Sequence, residues 1–148
     1  MIHVKQLTDC DCGAISYMMI VNHFGHNIDC VDAIKEVKCD KDGTSIENVS
    51  AALILRKINH EPVNLDVDFN DFFNTLNNLS QNNIIYVSGV YKNRFFKRGR
   101  DKTNFHAVVI YKGMIFDPSE DTKLPIDAYF HTFNKSLNIK KILLIGID

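Results

Sequence analysis

The chain has no tryptophan, only three prolines among its 148 residues, and no excess of charge of either sign. With 17 Lys and Arg against 18 Asp and Glu, it carries no global field that would recruit nucleic acid or a membrane surface. The opening Met1-Ile2-His3-Val4-Lys5 lacks a basic segment leading into an apolar run, so no signal peptide is expected. The longest apolar stretch, around Ile15 to Val21, is far too short to cross a bilayer, which predicts no membrane segment. Four cysteines (Cys10, Cys12, Cys30, Cys39) without a secretory signal are expected to be reduced thiols in a soluble, cytoplasmic protein. Repeats, low-complexity tracts and linkers are missing too. One domain over 1–148 is the expectation, and 45% hydrophobic residues can fill its core.

The first half reads helical. Residues 12 to 24 are apolar nearly all round, as in a helix buried at the centre of a domain, with Asp11 as N-cap and Gly25 just past its end. A second helix is expected over 29 to 37. A third is expected within 42 to 57, opened by a capping box of Thr44 and Glu47, or alternatively by Ser45 with Asn48. A fourth, at 69 to 79, carries Phe69, Phe72, Phe73, Leu76 and Leu79 on one stripe after Asp68. The second half changes period. Ile84 to Val87 reads as a strand, 105 to 111 and 114 to 117 as a hairpin about Lys112-Gly113, 126 to 133 as a short helix, and 141 to 147 as a last strand. Helices first and an antiparallel sheet after imply an α+β fold.

Two positions stand out chemically. Cys12 lies in Gln6-Leu7-Thr8-Asp9-Cys10-Asp11-Cys12-Gly13, at the first turn of the first helix. A thiol is a weak nucleophile until ionised, and a helix N-terminus or a neighbouring imidazolium favours the thiolate. His106 opens the run His106-Ala107-Val108-Val109-Ile110-Tyr111. If Lys112 and Gly113 form a two-residue loop, Val108 faces Asp117, and His106 and Asp117 project from one face as diagonal neighbours, roughly 7–8 Å apart along the backbone. Asp117 can then orient the imidazole. A loop of odd length would put the two on opposite faces. The amide of Gln6 can donate to the oxyanion of a tetrahedral intermediate. Gly13, without a side chain, would let a substrate backbone approach. Asp11, Phe105 and the basic residues Arg94 and Arg98 complete the candidate substrate contacts.

Taken in order, these features resemble the bacteriocin-processing, double-glycine leader peptidases, a branch of the papain-like cysteine peptidases. The likeness rests on Gln6, Asp11-Cys12-Gly13, Phe24-Gly25, Gly43-Thr44-Ser45, His106-Ala107-Val108-Val109 and Asp117-Pro118, and it spans nearly the whole chain. It implies a papain-like fold with N-terminal helices packed on a small antiparallel sheet. It also implies thiol-dependent hydrolysis of a peptide or isopeptide bond. Cys12 would be the nucleophile, His106 the general base, Asp117 its orienter and Gln6 the oxyanion donor, acting on a peptide or protein substrate without metal or cofactor.

Other readings stand beside this one. Cys30 and Cys39 read as small buried hydrophobes. Cys10 and Cys12 are spaced too closely for a usual zinc pair. His3, His23, His26, His60 and His131 read as surface or structural. The stretch 92–102 is dense in positive charge; it is a solvated loop or a cleft edge that grips an acidic partner or, as a minor idea, nucleic acid. A domain that binds a peptide without cutting it, and a transferase using the same thiol, are the alternatives to a hydrolase.

Overall fold

A computed structural model describes residues 1–8, 11–64, 69–91, 105–132 and 137–146. Its first element is α1 (Cys12–His23), buried on every side from Cys12 to Val21, as an all-round apolar sequence requires. α1 ends in a Schellman motif: Gly25 N donates to Asn22 O, His26 N donates to Val21 O, and Gly25 takes φ +90°. α2 (Cys30–Glu36) opens with a capping box in which Asp29 and Asp32 each accept from the other's backbone N–H. α3 (Ile46–Leu55) is capped by Ser45, whose hydroxyl accepts from Asn48 N at 3.1 Å. Of the two caps weighed for α3, Ser45 is therefore the one used. Thr44 instead donates its hydroxyl to Val37 O at the end of α2. Both α2 and α3 also close through left-handed residues, Lys38 (φ 52°) and Lys57 (φ 59°), with the same hydrogen-bond pair as α1.

β1 (His60–Val63), α4 (Phe69–Asn82) and β2 (Asn83–Tyr91) follow. Next come β3 (Phe105–Tyr111), β4 (Met114–Phe116), β5 (Leu124–Pro125), α5 (Ile126–Thr132) and β6 (Leu137–Gly146). The six strands form one sheet in the order β1-β6-β2-β3-β4-β5, and each neighbouring pair is antiparallel. β1 and β5 have no counterpart in the sequence reading. β1 has Pro62 at its centre and no alternation, which is tolerable because it is an edge strand. The chain thus does not divide into helices first and sheet after: one strand comes from the helical half, and α4 and α5 interrupt the strands.

Strand alternation gives the sheet two apolar faces. Ile84, Tyr86, Ala107 and Val109 join a core with α1, α2 and α3. Ile85, Val87, Val108 and Ile110 join a second core with Leu76 of α4 and with Tyr129 and Phe130 of α5. Among the described residues no helix is long and apolar enough to cross a membrane.

Candidate active site

Cys12 is the first residue of α1 and only 2% exposed. No side chain caps this helix among the described residues. Asp11 holds the N-cap position, but its carboxylate turns back to accept from Leu7 N (3.3 Å) and Thr8 N (3.1 Å). The N–H groups of the first turn, that of Cys12 included, keep their donor capacity at the positive end of the helix dipole. Asp11 therefore shapes the loop before the thiol rather than capping α1.

His106 is the second residue of β3 and Asp117 follows β4 directly. Lys112 (φ 52°) and Gly113 (φ 74°) form a two-residue turn of the mirror-image type that hairpins favour. Val109 pairs with Phe116, so Val108 stands opposite Asp117 one step further along. This is the register the sequence implies, and His106 Nε2 lies 2.6 Å from Asp117 Oδ1. An ionised carboxylate only accepts, so Nε2 carries the proton it donates. The Cys12 thiol also acts on His106, favouring its charged form. By strand alternation His106 and Asp117 share the face of Val108 and Ile110, whereas Cys12 belongs to the core of α1.

Burial pushes the His106 imidazolium down. The hydrogen bond to Asp117, the neighbouring Cys12 thiol and the carboxylate's charge outweigh it and raise the pKa to about 9. Burial likewise pushes Asp117 up, but hydrogen bonding to His106, its charge, and the Ser119 donors bring it down to about 2. The arrangement favours an imidazolium–carboxylate pair at neutral pH.

Asp117 is 1% exposed and well supplied with donors. Besides His106, Oδ1 accepts from Ser119 N (2.8 Å) and Ser119 Oγ (2.7 Å), and Oδ2 accepts from Tyr129 OH (2.8 Å). Sequence reasoning missed both partners. Ser119 had a local signal, since an Asp side chain commonly accepts from the backbone two residues on. Tyr129 had none: it arrives from another element.

Gln6 is fastened beside the orienting acid, its backbone N donating to Pro118 O at 2.7 Å. Its side-chain Nε2 donates to Thr8 O at 2.7 Å, and Oε1 is buried without a partner among the described residues. Gly13 and Asp11, expected as substrate contacts, both have roles within the protein's own packing. Gly13 is buried, and a Cβ there would lie 2.5 Å from Thr44 Cγ2 and 3.1 Å from Tyr86 OH, so the missing side chain makes room for the protein's own packing. Asp11 is buried and its carboxylate is engaged internally. The backbone of Phe105 pairs with Val90, while its side chain, Arg94, Arg98 and the whole stretch 92–102 lie outside what is described, as do Asp9 and Cys10.

Cys30, Cys39, His3, His26 and His60 have structural surroundings, while the side chain of His131 lies outside what is described. Cys30 and Cys39 are half-buried against the α1 core rather than fully covered as expected. His3 Nε2 bonds Glu120 O at 2.7 Å, His26 Nδ1 accepts from Arg56, and His60 contacts Ser50 Oγ at 2.7 Å.

A model of the Peptidase C39 family matches residues 1–124. No curated protein matches the chain. Among solved structures, the chain is similar to the peptidase domain of Streptococcus ComA, described as a bi-functional ABC transporter involved in a quorum sensing pathway. The identity is 18%, coverage 99% of this chain and 98% of that one, and the TM-score 0.66. It is also similar to a double glycine motif protease from an AMS/PCAT transporter in complex with the leader peptide. There the identity is 15%, coverage 98% and 90%, and the TM-score 0.64. The fold is thus the papain-like arrangement of helices and antiparallel sheet found in these peptidase domains.

Proposed function

The chain belongs to the peptidase C39 family and is a cysteine peptidase, and from that premise we propose that Cys12, His106, Asp117 and Gln6 carry the reaction. The observation that bears most weight is the buried imidazole held by a carboxylate 2.6 Å away, its charged form favoured by the thiol at the tip of α1.

The Cys12 sulfur, as thiolate, attacks the carbonyl carbon of a peptide bond, and the π electrons pass to oxygen. The Cys12 backbone N–H stabilises that oxyanion together with the Gln6 amide; one Gln6 N–H proton is committed to Thr8 O and the other is available. As the C–N bond breaks, His106 gives its proton to the departing amine and leaves a thioester on Cys12. Water then attacks the thioester while His106 takes a proton, and the expelled thiolate restores the starting pair. Asp117 keeps the ring in the tautomer with the proton on Nε2 and stabilises the imidazolium without taking its proton. The substrate is a peptide. By analogy with the neighbour held with a leader peptide, it is an extended segment of a precursor chain.

Iodoacetamide labelling with mass spectrometry, alongside turnover of a fluorogenic peptide, tests the assignment. Labelling should fall on Cys12, and Cys12→Ala should abolish turnover while keeping the wild-type circular dichroism. Gln6→Ala should lower kcat by about 10²-fold. Turnover surviving in Cys12→Ala would rule the mechanism out.

A further inference from the structure

We propose that Tyr129, whose hydroxyl grips the outer oxygen of Asp117, is a positioning residue of the hydrolytic centre. The inference rests on the assignment of Cys12, His106 and Asp117 above.

Donors on one oxygen of a carboxylate leave the group free to pivot about that oxygen, which swings the lone pair away from the imidazole. Asp117 Oδ1 takes His106 and both Ser119 donors; Tyr129 holds Oδ2 at 2.8 Å. Two-point restraint defines the carboxylate plane, and with it the direction in which His106 is held. Both partners are buried, Tyr129 at 0% and Asp117 at 1% exposure, so water does not readily replace the phenol.

The delivery of Tyr129 is equally specific. It sits on α5, whose first residue donates from Ile126 N to Gly113 O in the turn of the His106–Asp117 hairpin. The segment leading into α5 pairs as β5 with β4, Leu124 opposite Ile115 and Pro125 opposite Met114. Tyr129 also packs edge-on against Phe130, ring centroids 5.3 Å apart, within the second core. Base, orienter and phenol thus belong to one hairpin-and-helix unit. The family match ends at residue 124, so this helix lies beyond the matched region while reaching into the site.

The test is Tyr129→Phe, which removes one oxygen and leaves the ring in the core. Kinetics are measured on a fluorogenic peptide that the wild-type protein cleaves, with active sites counted by stoichiometric thiol alkylation so that misfolded protein is not scored as lost activity. A fall of roughly tenfold in kcat per active site is expected, with KM within twofold. In an Asp117→Ala background the same substitution should cost less than twofold, because the phenol acts through the carboxylate. An unchanged kcat per active site, or an equal tenfold loss without Asp117, would overturn the proposal. Cys12→Ala run in parallel separates the two failures: an inactive Cys12→Ala beside an unaffected Tyr129→Phe sinks this inference alone, whereas an active Cys12→Ala sinks the assignment beneath it.

Discussion

Two tyrosine–carboxylate–cation networks lie in the same molecule. In the first, Tyr17 OH donates to Glu36 Oε1 at 2.6 Å, and Arg56 grips both Glu36 oxygens at 2.8 and 2.7 Å while donating to His26. In the second, Tyr129 and His106 donate to the two oxygens of Asp117. The hydrogen-bond plan is nearly the same. The cation differs: a guanidinium stays charged at any pH a protein survives, whereas an imidazolium can give up its proton. The first network joins α1, α2 and α3 as a fixed staple. The second has an exchangeable proton and places a thiol beside it. Chemistry here depends on which cation the carboxylate holds, more than on how well it is held.

Four measurements can break that comparison, in order of expected effect. His106→Gln keeps a hydrogen-bonding side chain and removes the transferable proton; kcat/KM should fall by about 10⁴-fold or more. A loss under tenfold would mean the imidazole is only another staple.

The second measurement is pH-dependent stability. His106 has its folded pKa raised to about 9, so its contribution is complete below the unfolded value near 6.5 and is lost as pH rises through about 9. Asp117, lowered to about 2, contributes above its ordinary value of 3.8 and loses that contribution as pH falls through about 2. The wild type should therefore lose on the order of 3 kcal/mol in denaturant titrations between pH 6.5 and 9.5, and His106→Gln clearly less. Cleavage should fall off with an alkaline limb near the same pH. Parallel stability curves for the two proteins would contradict this account.

The third is Arg56→Ala, which strands a partly buried carboxylate. Stability should drop by roughly 2 kcal/mol with kcat/KM unchanged within about threefold. The smallest is Tyr17→Phe, at about 1 kcal/mol and no change in kcat. If Tyr17→Phe slowed turnover as Tyr129→Phe is expected to, the two networks would not be separable into structure and chemistry.

Much of the site was readable because local rules determine it. The buried first helix, its closing Gly25 and the two-residue turn at Lys112-Gly113 follow from periodicity and backbone conformation. The turn in turn places Asp117 on the side of His106. What was not readable depends on groups far apart in sequence. Asp11 turns back to Leu7 and Thr8 instead of capping α1, a choice between two sets of backbone donors that local spacing does not decide. Thr44 leaves the cap to Ser45 because its hydroxyl is taken by Val37 O and its methyl faces Gly13. β1 forms because β6, more than seventy residues later, offers Ile142 to Ile145 as partners. Tyr129 resembles any core aromatic until the sheet brings Asp117 beneath it.

The hairpin turn is held from outside the site. Lys112 N donates to Ser80 O, Gly113 N to Ser80 Oγ and Lys112 Nζ to Gln81 O, all at the end of α4. A Cβ on Gly113 would lie 2.9 Å from Asn77 Oδ1. Five strand residues separate this turn from His106, and the six steps span roughly 20 Å at about 3.3 Å per residue. Surface turns ordinarily absorb insertions at little cost. Here one added residue would reverse which side of the ribbon Asp117 occupies, parting it from His106 from a distance while leaving both residues in the sequence.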